Sequence, residues 1–170
     1  MQLRMIYGMK DMRWNSARRN WRMTQDSFLK LSNMLCFAIY STANALTRAY
    51  QPILSKLDLT YPQFLVMLVL WEKDDQTVSE IGAKLHLDSG TLTPLLKRLE
   101  TAGRITRRRD PQDERQVRIT LTDEGLMLRE AAESVPDQIL CALGHPVDEL
   151  KDLRSRLLDI RGNLADSVER

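Results

Sequence analysis

The chain contains few of the residues that build disulfide frameworks, zinc sites or membrane spans. Its 170 residues include two cysteines and two histidines. Two cysteines cannot make a disulfide framework, and no paired-cysteine or histidine motif accompanies His86 or His145 to suggest zinc. The longest apolar run, residues 64–71, is far too short to cross a bilayer. We therefore expect one globular domain in a reducing cytoplasm, without a cofactor or a membrane.

The first 22 residues differ in charge from the rest of the chain. Residues 1–22 carry six Lys/Arg and one Asp, a net charge of +5, whereas the whole chain carries +2. The segment lacks the apolar region of a secretory signal. We expect a basic N-terminal extension that is disordered or dispensable, or a leader translated from an upstream start codon. The main domain then spans residues 23–170.

Two short helices follow one another in residues 77–101. The first, residues 77–85, has an apolar face. The second begins near Gly90, where Asp88 or Ser89 can accept a hydrogen bond from a free first-turn N–H, and Gly103 ends it. Helical spacing predicts that this second helix buries four leucines, which are Leu92, Leu95, Leu96 and Leu99.

A basic hairpin follows these helices. Alternation predicts strands over residues 104–109 and 117–121 around a turn at residues 110–113. Residues 97–118 contain eight Lys/Arg and four Asp/Glu, and phosphate neutralisation needs such a local surplus. A solvated hairpin without a ligand is the alternative. Helix, helix and hairpin in this order instead predict a winged helix-turn-helix, with the second helix in a major groove and the hairpin tip at the backbone or minor groove.

Long helices flank this region. We predict a first helix over residues 28–50 that Pro52 interrupts, a buried centre at residues 64–71, a break at Val135 and Pro136, and a short segment over residues 137–143 that carries Cys141. The last helix has a narrow, heptad-like seam of Val147, Leu150, Leu153, Leu157, Ile160 and Leu164.

Such a seam on a terminal helix needs a partner. The predicted fold is mainly α, with a two-stranded β-wing, a DNA-binding part at about 60–121, and dimerisation helices at about 26–50 and 122–168. Packing within one chain alone is the alternative. We favour a homodimer, because an operator-binding winged helix usually needs two half-sites about one helical turn apart.

The residues alone leave the role of Cys36 open. A lone cysteine on an apolar helical stripe is more often inert core than a reactive thiol. Phenol O–H donors from Tyr40, Tyr50 or Tyr61 would stabilise a thiolate, whereas an apolar environment would raise the pKa of the thiol.

Several segments resemble a known family. The run DERQVRITLT resembles the wing signature of the MarR family of bacterial transcription regulators, and LDSGTLTPLLKRLE is similar to the recognition helix of its organic hydroperoxide resistance (OhrR-type) regulators. CFAIY, YQPIL and LDLTYPQFLVMLVLWE extend the resemblance over about residues 36–125. It implies a homodimeric repressor, not an enzyme, that binds a pseudo-palindromic operator and is induced by organic hydroperoxides.

The resemblance also implies roles for particular residues. Cys36 falls on the position of the peroxide sensor, and Tyr50 and Tyr61 on the tyrosines that hold its thiolate. Tyr40 is a further candidate for the pocket, and Cys141 stands where a resolving cysteine is expected. The resemblance places DNA contacts at Ser89, Thr91, Lys97 and Arg98 on or beside the recognition helix, at Arg107 near the backbone and at Arg115 in the minor groove, with Asp113 orienting Arg115.

Together these roles predict a redox switch. Oxidation of Cys36 by a hydroperoxide, followed by a disulfide to Cys141 of the other subunit, would release the operator. One alternative is a MarR-type repressor released by a small aromatic acid, with Cys36 structural. Another is a thiol peroxidase, which would leave the basic wing unexplained.

Overall fold

Residues 29–168 fall into two compact units. The computed structural model describes these residues, and the larger unit comprises residues 44–143. The described part of the smaller unit comprises residues 29–43 and 144–168. Helix α1 (Leu35–Leu54) contains the boundary at residue 43. Our prediction for residues 1–22 lies outside the described residues.

Helix α2 (Tyr61–Glu72) forms the buried centre of the larger unit, as predicted. Its start is closed by a capping box, in which the Gln63 side-chain oxygen accepts hydrogen bonds from the Thr60 N–H and hydroxyl, both at 2.8 Å. Pro62 occupies the first turn, where no helical N–H bond is lost. The helix is apolar nearly all round because it is surrounded by other elements. Its buried apolar residues are Phe64, Val66, Met67, Val69 and Leu70.

Helix α1 continues through Pro52, so the predicted interruption there is wrong. Proline lacks an N–H, and the helix therefore loses one hydrogen bond four residues back. The helix ends only two residues later, at Leu54, which is fully buried. Burying a leucine contributes roughly 1.5–3 kcal/mol, which offsets much of this loss. A short 3₁₀ turn (Ser55–Leu57) follows, and Asp58 in the left-handed region ends it.

The helix-turn-helix consists of α3 (Val78–Leu85) and α4 (Ser89–Thr101). The Thr77 hydroxyl accepts from the Glu80 N–H at 3.2 Å, and the Glu80 carboxylate accepts from the Thr77 N–H at 2.7 Å. His86, at φ +53°, ends α3, and Gly103, at φ +72°, follows α4. The predicted apolar face of α4 is confirmed, since Leu92, Leu96 and Leu99 are fully buried and Leu95 is half-buried.

The wing sheet has three strands, one more than predicted. Strands β2 (Ile105–Arg109) and β3 (Val117–Leu121) pair antiparallel, with Ile105 opposite Leu121 and Arg109 opposite Val117. Strand β1 (Gln76–Thr77) precedes α3 and pairs with the other edge of β3, which gives the order β1-β3-β2. A strand of two residues is too short to show alternation, so periodicity could not predict it.

The C-terminal part is helical. Thr122 caps α5 (Asp123–Ala132) as predicted, accepting from the Gly125 N–H at 3.0 Å. Helix α6 (Val135–Leu143) begins at Val135 rather than at position 137, because Pro136 is tolerated in a first helical turn. Helix α7 (Val147–Val168) completes the described chain. The predicted class, a mainly α fold with a winged helix-turn-helix, is confirmed.

Within residues 29–168, no single helix has both the length and the hydropathy needed to cross a membrane. Only a bent pair, Leu35–Leu57 together with Tyr61–Glu72, meets both criteria.

Candidate DNA-binding surface and cysteine sites

The N-terminal turn of α4 presents polar side chains to solvent. Ser89 and Thr91 are both exposed. The Asp88 carboxylate accepts from the Thr91 N–H at 2.9 Å and from the Thr91 hydroxyl at 2.8 Å. Both bonds lower the pKa of Asp88, and the bond from the Thr91 backbone N–H has the larger effect. Because the Thr91 hydroxyl already donates to Asp88, it faces its surroundings as a hydrogen-bond acceptor.

Two cations lie on later turns of α4. Lys97 and Arg98 are exposed, and neither forms an ion pair with another residue of the described chain. Arg98 lines a cavity of about 600 Å³ that also contacts the end of α1 and the start of α2. Arg48 and Tyr61 belong to the same wall. Lys97 is thus free to meet phosphate, and Arg98 lines this cavity.

Arg107 on β2 is less free than the sequence suggested. Its guanidinium lies 3.4 Å from the Glu100 carboxylate on α4, and its side chain is 22% exposed. Its Nε is buried without a hydrogen-bond partner among the described residues. Glu100 therefore holds Arg107 between the wing and α4, and partly neutralises it.

The tip of the wing is organised by Asp113. Its carboxylate accepts from the backbone N–H of Arg115 at 3.1 Å and from the Gln116 side-chain amide at 3.0 Å. Asp113 thus shapes the turn through the backbone and does not pair with the Arg115 guanidinium. Arg115 is exposed and has no ion-pair partner in residues 29–168.

The base of the wing contains an ion cluster that sequence reasoning missed. Arg118 on β3 donates to both Asp75 carboxylate oxygens, at 2.8 and 3.0 Å, and to Asp110 at 3.1 Å. The Arg118 bond lowers the pKa of Asp75. The pKa of Asp110 is lowered mainly by the hydrogen bond from the Gln112 N–H and, to a smaller extent, by the bond from Arg118. The two carboxylates raise the pKa of Arg118. Asp75 is 43 residues from Arg118 in sequence, so no local pattern connects them.

Tyr50 and Tyr61 are brought together in the larger unit. Their ring centroids are 4.6 Å apart, and Phe64 packs against Tyr50 at 6.0 Å. Burial raises the pKa of both phenols, and the neighbouring Tyr61 adds to the shift of Tyr50. Both hydroxyls therefore remain protonated hydrogen-bond donors at neutral pH.

Both cysteines are free and exposed. Cys36 lies in the first turn of α1 in the smaller unit, where Leu35 and Tyr40 are 57% and 65% exposed. Cys141 lies on α6 in the larger unit, beside Leu140, which is 38% exposed. Neither thiol is buried core within the described part of a single chain, and both helices carry apolar side chains that residues 29–168 leave exposed.

A capped helix-turn-helix beside a basic three-stranded wing defines a DNA-binding protein of the winged-helix class. Comparison with known proteins agrees with this class. Residues 48–131 match the family model described as transcriptional regulator SarA/Rot. The organic hydroperoxide resistance transcriptional regulator of Bacillus subtilis (strain 168) is 48% identical over 129 residues, which cover 76% of this chain and 88% of that protein.

Solved structures of AbfR, a protein of Staphylococcus epidermidis, have the same fold. Reduced AbfR bound to DNA is 39% identical, with a TM-score of 0.69 over 84% of this chain and 99% of that one. Disulfide-formed AbfR is 35% identical, with a TM-score of 0.57 over 92% of this chain and 99% of that one. The chain belongs to the MarR family of transcription regulators, among its organic hydroperoxide resistance (OhrR-type) members. It is a DNA-binding regulator and not an enzyme.

Proposed function

We propose that the protein is a homodimeric repressor that binds a pseudo-palindromic operator and is released by organic hydroperoxides through oxidation of Cys36. The observation that carries this proposal is the exposure of both free thiols on helices with uncovered apolar side chains. An exposed thiol can meet an oxidant, and uncovered apolar residues favour a second chain. The relative from Bacillus subtilis is named for organic hydroperoxide resistance, and AbfR is known in a DNA-bound reduced form and a disulfide form.

The proposed chemistry has two balanced steps. The Cys36 thiolate attacks the terminal peroxide oxygen. A sulfur–oxygen bond forms, the oxygen–oxygen bond breaks, and the peroxide leaves as an alcohol after taking up a proton. The Cys141 thiol of the second subunit then attacks the sulfenic sulfur, so that a disulfide forms and water leaves. Each hydroperoxide consumes two electrons from sulfur, and a thiol reductant restores both cysteines.

The tyrosine pair supports the first step. Tyr50 and Tyr61 keep their hydroxyl protons at neutral pH, as donors to a thiolate must.

A non-reducing gel before and after cumene hydroperoxide tests the switch. Wild-type protein, Cys36→Ser and Cys141→Ala are run side by side. We expect a dimer-sized band that requires both cysteines and disappears with dithiothreitol. If a sulfenic acid is trapped at Cys36 and no such band forms, an external thiol rather than Cys141 resolves the sulfenic acid. If neither the disulfide band nor the sulfenic acid forms, the assignment of Cys36 as the sensor is overturned.

A DNA-binding assay on the same three proteins tests release. Wild-type protein should lose affinity for its operator at least about a hundredfold on oxidation, equivalent to roughly 3 kcal/mol. Cys36→Ser should stay bound. Normal release of Cys36→Ser by hydroperoxide would rule out Cys36 as the sensor.

The cavity beside Arg98 favours a second candidate function. Two arginines, Arg48 and Arg98, line its 600 Å³ together with the Tyr61 ring, an environment suited to a small aromatic acid. The protein would then be a repressor released by such a ligand, with Cys36 structural. Release of DNA by an aromatic acid under constant dithiothreitol, equally in wild type and Cys36→Ser, would support this function over the redox switch.

A further inference from the structure

One arginine connects the wing to the turn that precedes β1 and α3. Arg118 lies on the central strand β3, and its guanidinium reaches two carboxylates on different segments. Asp75 belongs to the turn between α2 and β1, and Asp110 begins the turn of the wing. The Nη2 group also donates to the Asp75 carbonyl at 2.5 Å. We propose that Arg118 is a positioning residue for DNA binding, which fixes the wing relative to the helix-turn-helix by bridging Asp75 and Asp110.

Arg118 is not itself arranged to contact DNA. Its Nε, Nη1 and Nη2 atoms all donate hydrogen bonds within the protein. Its side chain is 31% exposed, and the Asp110 side chain is 12% exposed. A planar guanidinium suits this arrangement, because it donates in a fixed fork to one carboxylate and still reaches a second. A lysine ammonium cannot reproduce that geometry.

Asp110 lies at the point from which the wing tip projects. Its backbone N–H donates to the Gln116 carbonyl at 3.0 Å, which closes the hairpin, and its carboxylate accepts from the Gln112 N–H at 2.8 Å. The tip that carries Arg115 begins beyond this pair. The bond from Arg118 to Asp110 therefore fixes the residue from which the tip projects. The orientation of the tip, and with it the position of Arg115, depends on this bond.

The turn between α2 and β1 holds β3 at two points. Asp75 binds Arg118, and the neighbouring Asp74 carboxylate accepts from the Leu121 N–H at 2.9 Å. The ladder adds only two residue pairs here, with Thr77 opposite Arg118 as the last of them. Because β1 is so short, side-chain bonds from this turn add to a ladder of only two residue pairs.

The proposal rests on the proposed use of the wing in DNA binding, and the test separates the two. The probe is a duplex selected by the wild-type protein from a randomised pool, with dithiothreitol present throughout. Fluorescence anisotropy gives Kd, thermal unfolding gives Tm, and amide hydrogen exchange follows residues 110–117. The variants are Arg118→Lys, Asp75→Asn and their double mutant, with Arg115→Ala as the comparator for the wing tip.

We expect Arg118→Lys and Asp75→Asn each to weaken binding about tenfold, which is 1.4 kcal/mol, and to speed exchange in the wing. The double mutant should be no weaker than either single variant, because both remove the same bridge. Asp75→Asn decides the mechanism. Asparagine tolerates the φ of +53° at this position, and the change removes a negative charge from the base of the wing. If Arg118 instead bound phosphate, freeing it from Asp75 would strengthen binding.

Arg109→Lys is the matched control. Arg109 is an exposed arginine of the neighbouring strand without an ion pair in the described chain, so this variant should bind like wild type. Unchanged or tighter binding by Asp75→Asn would overturn the positioning role, as would a fall in Tm with unchanged Kd and wing exchange. Wild-type affinity in Arg115→Ala would instead refute the use of the wing tip, whatever the other variants do.

Discussion

At the scale of single residues, chemistry depends on what each side chain meets. Tyr50 and Tyr61 share a half-buried position with ring centroids 4.6 Å apart, and burial keeps both hydroxyls protonated. Asp113 and Arg115 are two residues apart, yet the carboxylate bonds the backbone and leaves the guanidinium exposed. Residue identity alone would have favoured an ion pair between them.

We expect Tyr61→Phe to slow oxidation of Cys36. The variant keeps the ring that packs against Tyr50 and removes only the hydroxyl donor, so a thiolate loses a stabilising hydrogen bond. Stopped-flow reaction with cumene hydroperoxide at pH 7 measures the rate. After denaturation, alkylation of the variant by iodoacetamide should match wild type. Equal oxidation rates at pH 7 would argue against the tyrosine role.

Gly125→Ala should destabilise the fold by about 2 kcal/mol, as over-packing against rigid atoms does. A Cβ at this position would overlap the backbone carbonyl of Arg104, which cannot turn aside, and the Gly125 carbonyl also accepts from the Trp71 indole at 2.9 Å. Urea unfolding measures the loss. Gly162→Ala is the control, because its Cβ meets nothing within 4 Å and alanine favours helix. Equal stability of the two variants would contradict this prediction.

At the scale of elements, caps and turns determine where each helix and strand begins. Thr77, Asp88 and Thr122 each accept the backbone N–H three residues on, which starts α3, α4 and α5. Thr77 also forms part of β1, so the cap of α3 lies at the edge of the sheet. Short polar side chains at element ends therefore orient the whole DNA-binding part.

Because these turns contain carboxylates with a lowered pKa, the thermal stability of the protein should depend on pH in the acid range. Hydrogen bonds lower the pKa of Glu80, Asp88, Asp75 and Asp110 in the folded chain. A lowered pKa means that the folded state favours the ionised form. Their stabilisation is thus present above the unfolded pKa, about 4, and is lost as the pH falls through the folded value. Tm should fall between about pH 4 and pH 2, and less steeply in Asp110→Asn. A Tm independent of pH there would refute this.

At the scale of the whole molecule, α7 carries an apolar seam that residues 29–168 leave exposed. Leu153 and Leu157 are 52% and 40% exposed, and Val147 and Leu164 are exposed as well. In the proposed homodimer, a second copy of the chain would cover these side chains, and the two copies would read two half-sites. Oligomeric state and operator affinity should therefore be coupled.

Leu153→Glu should convert the protein to a monomer and weaken operator binding at least about a hundredfold, since a charge within a buried apolar interface has no partner. Sedimentation velocity measures the oligomeric state, and anisotropy measures the affinity. Ser155→Glu adds the same charge off the seam and should remain dimeric. If Leu153→Glu remains dimeric, the dimer interface does not lie on α7.

Periodicity, caps and charge in the sequence determined most of the secondary structure. They predicted the leucine face of α4, its cap at Asp88 or Ser89, the Thr122 cap, the buried α2 and the basic hairpin, because these depend on residues within about four positions of one another. The continuation of α1 through Pro52 accompanies the burial of Leu54, which local spacing did not predict. Strand β1 and the Arg118 bridge to Asp75 and Asp110 emerged only in the tertiary structure. Such contacts join segments distant in sequence, and local spacing contains no information about which of several equivalent arginines and aspartates will meet.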